Sequence, residues 1–328
     1  MRVGAPDGGR FLQLVEEEFR AMFGTSYAVA LNSATSGLHA ALTGVGVGPG
    51  DLVMVPGVTM TASASAVIHA GATPILVDVD PSIGISLAPQ YREAYAYAES
   101  EHGKSPIAAV VVHLFGQTAD VSGLANEVRV VEDCAQAPAC VTDTGVLAGT
   151  MGDVGVFSLN QDKAITCGEG GVCITDSGEA YDLMRLMRNH GENSSPSICG
   201  YNYRLTELEA AVAYAEVAEL FARQRVRLAL AQYMAAELGD QERFQPMEVE
   251  NAPYQFYMID HDPNGPAPPK PWHRHYSTPL CCIPYFKANL GQGCLVRAHE
   301  FNSKMVCTKS PSCLGEADVL IRSILDKK

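Results

Sequence analysis

"VGVFSLNQDKAITCGEGGVCITD", residues 154–176, sets two runs of apolar, mostly β-branched residues on either side of a polar, glycine-rich turn. Neither run alternates apolar with polar, as a strand with one wet face would. Near-continuous Val and Ile implies strands buried on both faces, and such strands belong to sheets covered by helices on both sides. The turn between them carries Lys163, and only Lys104 precedes it in the chain.

Similar runs lie upstream at "YAVALN" (27–32), "LVMVP" (52–56), "PILVDVD" (74–80), "AAVVVHLF" (108–115) and "VRVVED" (128–133). With 154–160 and 171–176 they make seven strands. Between the first two lies "SATSGLHAALTGV", a helix opened by Ser/Thr caps; between the next two lies "TMTASASAVIHAGA", ended by Gly71. The alternation predicts an α/β unit over 1–220 with a mainly parallel seven-stranded sheet and helices on both faces. From about 204 to 238 apolar residues recur at helical spacing, which predicts one long linking helix. A smaller α+β domain is expected over 221–328. It holds the strand-like "YQFYMI", the loop "DPNGPAPPKP" and a closing amphipathic helix "GEADVLIRSILDKK".

A net charge of −14 gives no footprint for a nucleic-acid backbone, so nucleic acid is not an expected partner. The ten cysteines show no repeated metal-ligand spacing, and the adjacent pair Cys281–Cys282 has no metal-like motif beside it, so no metal is expected. No signal-peptide pattern opens the chain, and no apolar run nears the about 18 residues of a membrane span. A reducing cytoplasm is the expected compartment, with no membrane partner.

Four stretches bear on chemistry. "GVGVGPG" (44–50) is glycine-rich but follows a helix and precedes a strand, the reverse of a dinucleotide-binding turn, and reads as a connection. "NSATSG" (32–37) runs strand to helix, so its N–H groups form a possible anion cradle; ordinary capping by Ser33 or Thr35 is the alternative. "VVEDCAQA" (130–137) sets two carboxylates at a strand's C-terminal end, where α/β sheets bind ligands. Alternation sends Glu132 and Asp133 to opposite faces, one of them into a site, unless both are simply solvated. Lys163 lies at a similar edge, where desolvation would suit its amine to Schiff-base chemistry; a surface loop lysine is the plain alternative. A phosphate cradle, an acid for a pyridinium nitrogen and a lysine for an aldehyde are together what pyridoxal phosphate needs.

These stretches, with "VEEEFRAMFG", "AGATPILVDVD", "VVHLFGQTADV", "MRNHG" and "GYNYRLTELEAAVA", resemble the DegT/DnrJ/EryC1/StrS family of pyridoxal-phosphate-dependent sugar and cyclitol aminotransferases. The resemblance runs from about 10 to 220, more weakly to the end, and implies a fold-type-I aminotransferase. It implies that Lys163 forms the Schiff base and shuttles the proton, and that Asp133 pairs with the pyridine nitrogen. Gln136 falls where the family contacts the ring face or its 3′-oxygen. Ala34, Thr35 and Ser158 fall where the family binds the phosphate. Asn202 corresponds to a phosphate ligand contributed by the neighbouring subunit, which implies a homodimer with shared active sites.

Some positions depart from the family. Thr59–Met60 replaces a Thr–aromatic pair, so a thioether would cover the cofactor ring with weaker stacking. "EDCAQ" stands for "EDAAQ", with Cys134 expected to pack away from the ring. The opening helix before "FLQLVEEEF" and a helix between "YQFYMI" and "HRHYSTPL" look to be missing. "NQDKAITCGEGG" is closer to the cyclitol aminotransferases and aminohydroxybenzoate synthases than to the nucleotide-sugar enzymes. The expected activity is amino transfer from glutamate or glutamine to a keto-sugar or keto-cyclitol in cell-surface sugar or secondary-metabolite (antibiotic aminocyclitol) biosynthesis. The alternatives are an aminohydroxybenzoate-synthase-like dehydratase and a non-catalytic paralogue acting as a partner. The family's sugar dehydratases carry histidine at the lysine position, so Lys163 argues against that branch.

Overall fold

In the strands at one end of the large sheet, alternate residues join different apolar clusters, and this organises that end of the fold. In β1 (Tyr27–Leu31), Ala28 and Ala30 join one apolar cluster while Val29 and Leu31 join another; Val172 and Cys173 divide the same way in β7 (Gly171–Thr175). Successive side chains of a strand point to opposite faces, so one sheet builds two cores. The computed structural model describes residues 9–120, 123–142, 144–192, 198–239, 241–247, 251–274, 276–309, 311 and 313–325. The expectation of a missing opening helix before residue 11 concerns mainly residues 1–8, which lie outside this set.

Five further strands complete the sheet: β2 (Leu52–Pro56), β3 (Thr73–Val77), β4 (Ala108–Val112), β5 (Arg129–Asp133) and β6 (Val154–Ser158). Their order is β1-β7-β6-β5-β4-β2-β3. The pairs from β3 through β6 are parallel, and β7 runs antiparallel to both neighbours. Helix α1 (Arg10–Phe23) packs on one face; α2 (Ala34–Gly44), α3 (Thr61–His69), α4 (Ala88–His102) and α5 (Gly178–Arg188) contribute to the other core. This is the α/β architecture expected. The strands are shorter than their apolar runs. The run 108–115 leaves the ladder after Val112, because His113 turns to Glu132 and Phe115 takes a left-handed backbone at φ 61°.

The segment read as one helix over 204–238 is two, α6 (Glu207–Val217) and α7 (Leu220–Leu238). No Pro or Gly marks the break. Helix α6 packs on α1, whereas α7 lies against a three-stranded antiparallel sheet of β8 (Phe244–Pro246), β9 (Gln255–Asp260) and β10 (Met305–Lys309). Two burial partners require two directions, and Arg223 bridges the junction with a bidentate pair to Glu216 at 2.5 and 2.8 Å. Helices α8 (Pro284–Leu290), α9 (Val296–Lys304) and α10 (Leu314–Leu325) complete the described chain.

Both edges of the large sheet are covered, which blocks pairing with other chains. At β1, Glu16 accepts the Ala30 N–H at 2.9 Å, while Arg188 donates to the Ala30 carbonyl at 3.0 Å and pairs with Glu16 at 2.6 Å. At β3, the Gln292 amide imitates a strand residue, accepting from Leu76 N and donating to Leu76 O, each at 2.7 Å.

Candidate active site

Strand register assembles the site. Gly171 stands opposite Leu31 on one side and Ser158 on the other. A Cβ on Gly171 would lie 2.5 Å from the Ala34 nitrogen, so only glycine lets the N-terminus of α2 sit this close to the sheet. Ser33 caps that helix, its hydroxyl accepting the Ser36 N–H at 3.1 Å and its carbonyl the Gly37 N–H at 3.0 Å. The Ala34 and Thr35 N–H groups are left at the helix mouth beside Ser158, a site suited to an anion. The capping reading is borne out at Ser33, and this cap takes up the Ser36 and Gly37 N–H groups.

Glu132 and Asp133 diverge as alternation requires, and both are buried rather than solvated. Glu132 Oε1 accepts the Met151 and Gly152 N–H groups at 2.7 Å each, and Oε2 accepts Gly149 N–H at 2.8 Å and His113 Nε2 at 2.9 Å. Because Ala119 N–H donates to His113 Nδ1 at 3.1 Å, the ring proton is on Nε2 and points at Glu132. Burial opposes the Glu132 charge, but these donors outweigh it and hold the carboxyl below its usual range. Its lone pairs are committed to folding the 149–152 turn onto β6.

Asp133 faces the other way. Its Oδ2 accepts the Ser63 hydroxyl at 2.9 Å, Oδ1 accepts Ala135 N–H at 3.1 Å, and Thr59 Oγ1 lies 3.0 Å from Ser63 Oγ. Burial pushes this carboxyl up; the Ala135 N–H, the Ser63 hydroxyl and the Lys163 charge pull it back only in part. A buried acid in this state gains from a cation placed against it. Cys134, next in sequence, packs in the apolar cluster on the α1 face.

Lys163 sits in the loop between β6 and β7, its amide bonded to the Asn160 carbonyl at 2.9 Å and its Nζ 4.1 Å from the centroid of the Tyr254 ring. Burial lowers its pKa, Asp133 and Asp162 raise it, and Arg227 lowers it further; the net direction is down. Gln136 is buried, donates to Tyr276 Oη at 2.7 Å, and keeps Oε1 without a partner among the described residues. The structure therefore brings Asp133, Gln136 and Lys163 together, and Ala34, Thr35 and Ser158 together, at one edge of the sheet. Met60 precedes α3 with 58% of its surface exposed, and the Asn202 side chain is exposed while its carbonyl accepts from Asn32 Nδ2 at 3.3 Å.

Next to Lys163 opens a cleft of about 150 Å³ lined by Asp162, Arg227, Tyr254, Gln255, His273 and Lys309. Buried Arg227 Nε has no partner among the described residues. Ser63, Tyr276 and Arg227 were not singled out from sequence. The one legible signal was Ser63 four residues after Thr59, at helical spacing beside a strand edge.

The profile of the DegT/DnrJ/EryC1/StrS aminotransferase family matches residues 2–261. The chain belongs to that family. Its members are pyridoxal-phosphate-dependent. The chain is 37% identical over 231 residues to GDP-perosamine synthase of Caulobacter vibrioides, covering 66% of this chain and 60% of that protein. It is 34% identical over 243 residues to L-glutamine:2-deoxy-scyllo-inosose aminotransferase of Streptoalloteichus tenebrarius, covering 68% and 55%. The matched part thus spans less than two thirds of either relative. Among solved structures, a DegT DnrJ EryC1 StrS aminotransferase from Brucella abortus superposes with TM-score 0.87 at 25% identity, covering 97% of this chain and 90% of that one.

The residues present fit the family's cofactor. The α2 mouth over Gly171 is an anion seat, Asp133 is a buried acid in want of a cation, and Gln136 Oε1 is a buried acceptor in want of a donor.

Proposed function

We propose that this family member is a pyridoxal-phosphate-dependent aminotransferase moving an amino group from glutamate or glutamine to the keto group of a sugar or cyclitol. The observation that carries the reading is the buried Asp133, with Lys163 within electrostatic reach, at the strand edge that also presents the α2 N-terminus. When bound, the cofactor supplies an aldehyde and an electron-accepting ring.

Lys163 would hold the cofactor through its aldehyde and, once released by the donor amine, would be the base that moves the proton of the substrate α-carbon. Its lowered pKa leaves more neutral amine for that work than an ordinary lysine has. Asp133 holds the proton on the pyridine nitrogen, and Ser63 and Ala135 hold Asp133 in place. Ala34, Thr35 and Ser158 would bind the phosphate, Gln136 would meet the ring or its 3′-oxygen, and Met60 would cover the ring face. Arg227 and Lys309 give the adjacent cleft a positive lining suited to the donor's carboxylates.

Asn202, exposed beside the β1 edge, would reach the partner's phosphate in a homodimer with shared sites. Acceptors of this class are consistent with the names of the relatives, one on the nucleotide-sugar side and one on the cyclitol side. None of the helices among the described residues is long and apolar enough to cross a membrane, and we place the enzyme in the cytoplasm.

The test is a half-reaction. Glutamate or glutamine added to cofactor-loaded protein should bleach its visible absorbance, and a keto-sugar or inosose should restore it with gain of an amine. Persistence of the band with both donors, or an unchanged band in Lys163→Ala, overturns the reading. Loss of water from the acceptor without amine gain would instead support the dehydratase alternative.

A further inference from the structure

The pair Cys281–Cys282 lacks a metal motif in its own neighbourhood of sequence, but the fold supplies one. Cys294, twelve residues beyond Cys282, returns to it after α8. Sγ of Cys282 lies 3.7 Å from Sγ of Cys281 and 3.7 Å from Sγ of Cys294, and all three sulfurs fall within 4.8 Å of one another. A tetrahedral zinc with Zn–S bonds of about 2.3 Å sets its sulfurs about 3.8 Å apart. Two of the three spacings already match.

The surroundings also suit a thiolate site. Leu295 N–H donates to Cys281 Sγ at 3.3 Å, the kind of outer-shell hydrogen bond that orients a ligand sulfur. Burial falls from Cys281 through Cys282 to the exposed Cys294, which leaves a fourth position facing solvent. The other close group, His113, Glu132 and Cys134, is different. There Glu132 already accepts four N–H donors and His113 Nδ1 accepts a fifth, so no lone pair is left for a cation.

We propose that Cys281, Cys282 and Cys294 bind a soft divalent cation, zinc in its resident form, with an exogenous fourth ligand. The site is a clamp and not part of the chemistry. Leu280 N–H donates to the Gly57 carbonyl at 2.9 Å, and a Cβ on Gly57 would meet Leu295 Cδ1 at 2.2 Å. Both cysteine-bearing stretches therefore press on the turn that leads from β2 to Thr59, Met60 and Ser63. The ion fixes the outer wall of the cofactor site by tying those stretches together.

The experiment is Co²⁺ titration of reduced, chelator-treated full-length protein, read by the thiolate-to-cobalt charge-transfer band. One equivalent should develop the band and Zn²⁺ should remove it. Cys281→Ser and the exposed Cys294→Ser should each weaken binding by more than about a hundredfold, since loss of an outer-shell partner alone can cost that much. Cys199→Ser and Cys313→Ser, at exposed thiols outside the cluster, should leave it unchanged. Absence of the band in the wild type, or its survival undiminished in Cys294→Ser, overturns the proposal. The readout does not require aminotransferase activity, so it stands or falls separately from the proposed function.

Discussion

Ser63 reaches across from the first turn of α3 to donate to Asp133 Oδ2 at 2.9 Å, so the acid at the end of β5 is positioned by a helix that starts just after Met60. A hydrogen bond to a charged group contributes about 1.5–3 kcal/mol. Ser63→Ala should therefore lower kcat/KM by roughly ten- to a hundredfold. Ser63→Thr, which keeps the hydroxyl, should recover part of it. Equal activity of the alanine and threonine variants would show that the bond does not position Asp133.

Asp133→Asn should separate stability from activity. Burial raises the Asp133 pKa in the folded chain, so the cofactor-free protein loses stability as pH rises through the ordinary carboxylate range. The variant escapes that loss. Its Tm without cofactor should exceed the wild-type value at neutral pH, with the difference closing in acid, while transamination is abolished. Thermal melts across pH check the first part.

The pH dependence of cofactor capture offers a second handle on the same pair. Desolvation lowers the Lys163 pKa and Asp133 partly restores it. The rate of capture by the free amine should rise with pH at a midpoint below the ordinary lysine value, and lower still in Asp133→Asn. A midpoint that moves upward in the variant contradicts the coupling.

Met60→Phe should tighten the cofactor. Ring stacking adds about 0.5–1.5 kcal/mol beyond burial, or roughly two- to tenfold in affinity. Equilibrium dialysis of wild type against variant would measure it; an unchanged constant would place residue 60 away from the ring.

Arg188 and Glu16 form a buried pair that covers the outer edge of β1, with Arg188 2% and Glu16 14% exposed. Arg188→Ala should cost about 3–5 kcal/mol in chemical denaturation, because it strands the partner charge. A loss within the range of surface substitutions would mean the edge is held by other contacts.

The sequence made the seven strands, their alternation with helices and the strand-edge placement of Asp133 and Lys163 legible, because continuous Val/Ile runs and capped helices are local signals. The break between α6 and α7 was not legible, since Ala218 and Glu219 carry no breaker and only two separate packing partners turn the chain there. Tyr276 and Arg227 were equally invisible, because their place in the site is set by the docking of the three-stranded sheet. Glu132 reads as Asp133's equal in sequence, and only the tautomer of His113 and the three amides of the 149–152 turn separate their roles. The cysteine pair shows the same limit, since its third member arrives through the fold.

The sheet order has a consequence in time. β1 precedes the other six strands of its sheet in sequence, yet its strand neighbour among the described residues is β7, the last of them. From the end of β1 at Leu31 to the start of β7 at Gly171, the first strand lacks its ladder partner, and Ala34 has no Gly171 to rest on. A nascent chain shorter than β7 therefore lacks the anion seat, even with β5 and Asp133 already made. The seat is completed only once β7 has been made, just past the middle of these 328 residues, and a cofactor that needs it gains nothing from a shorter chain.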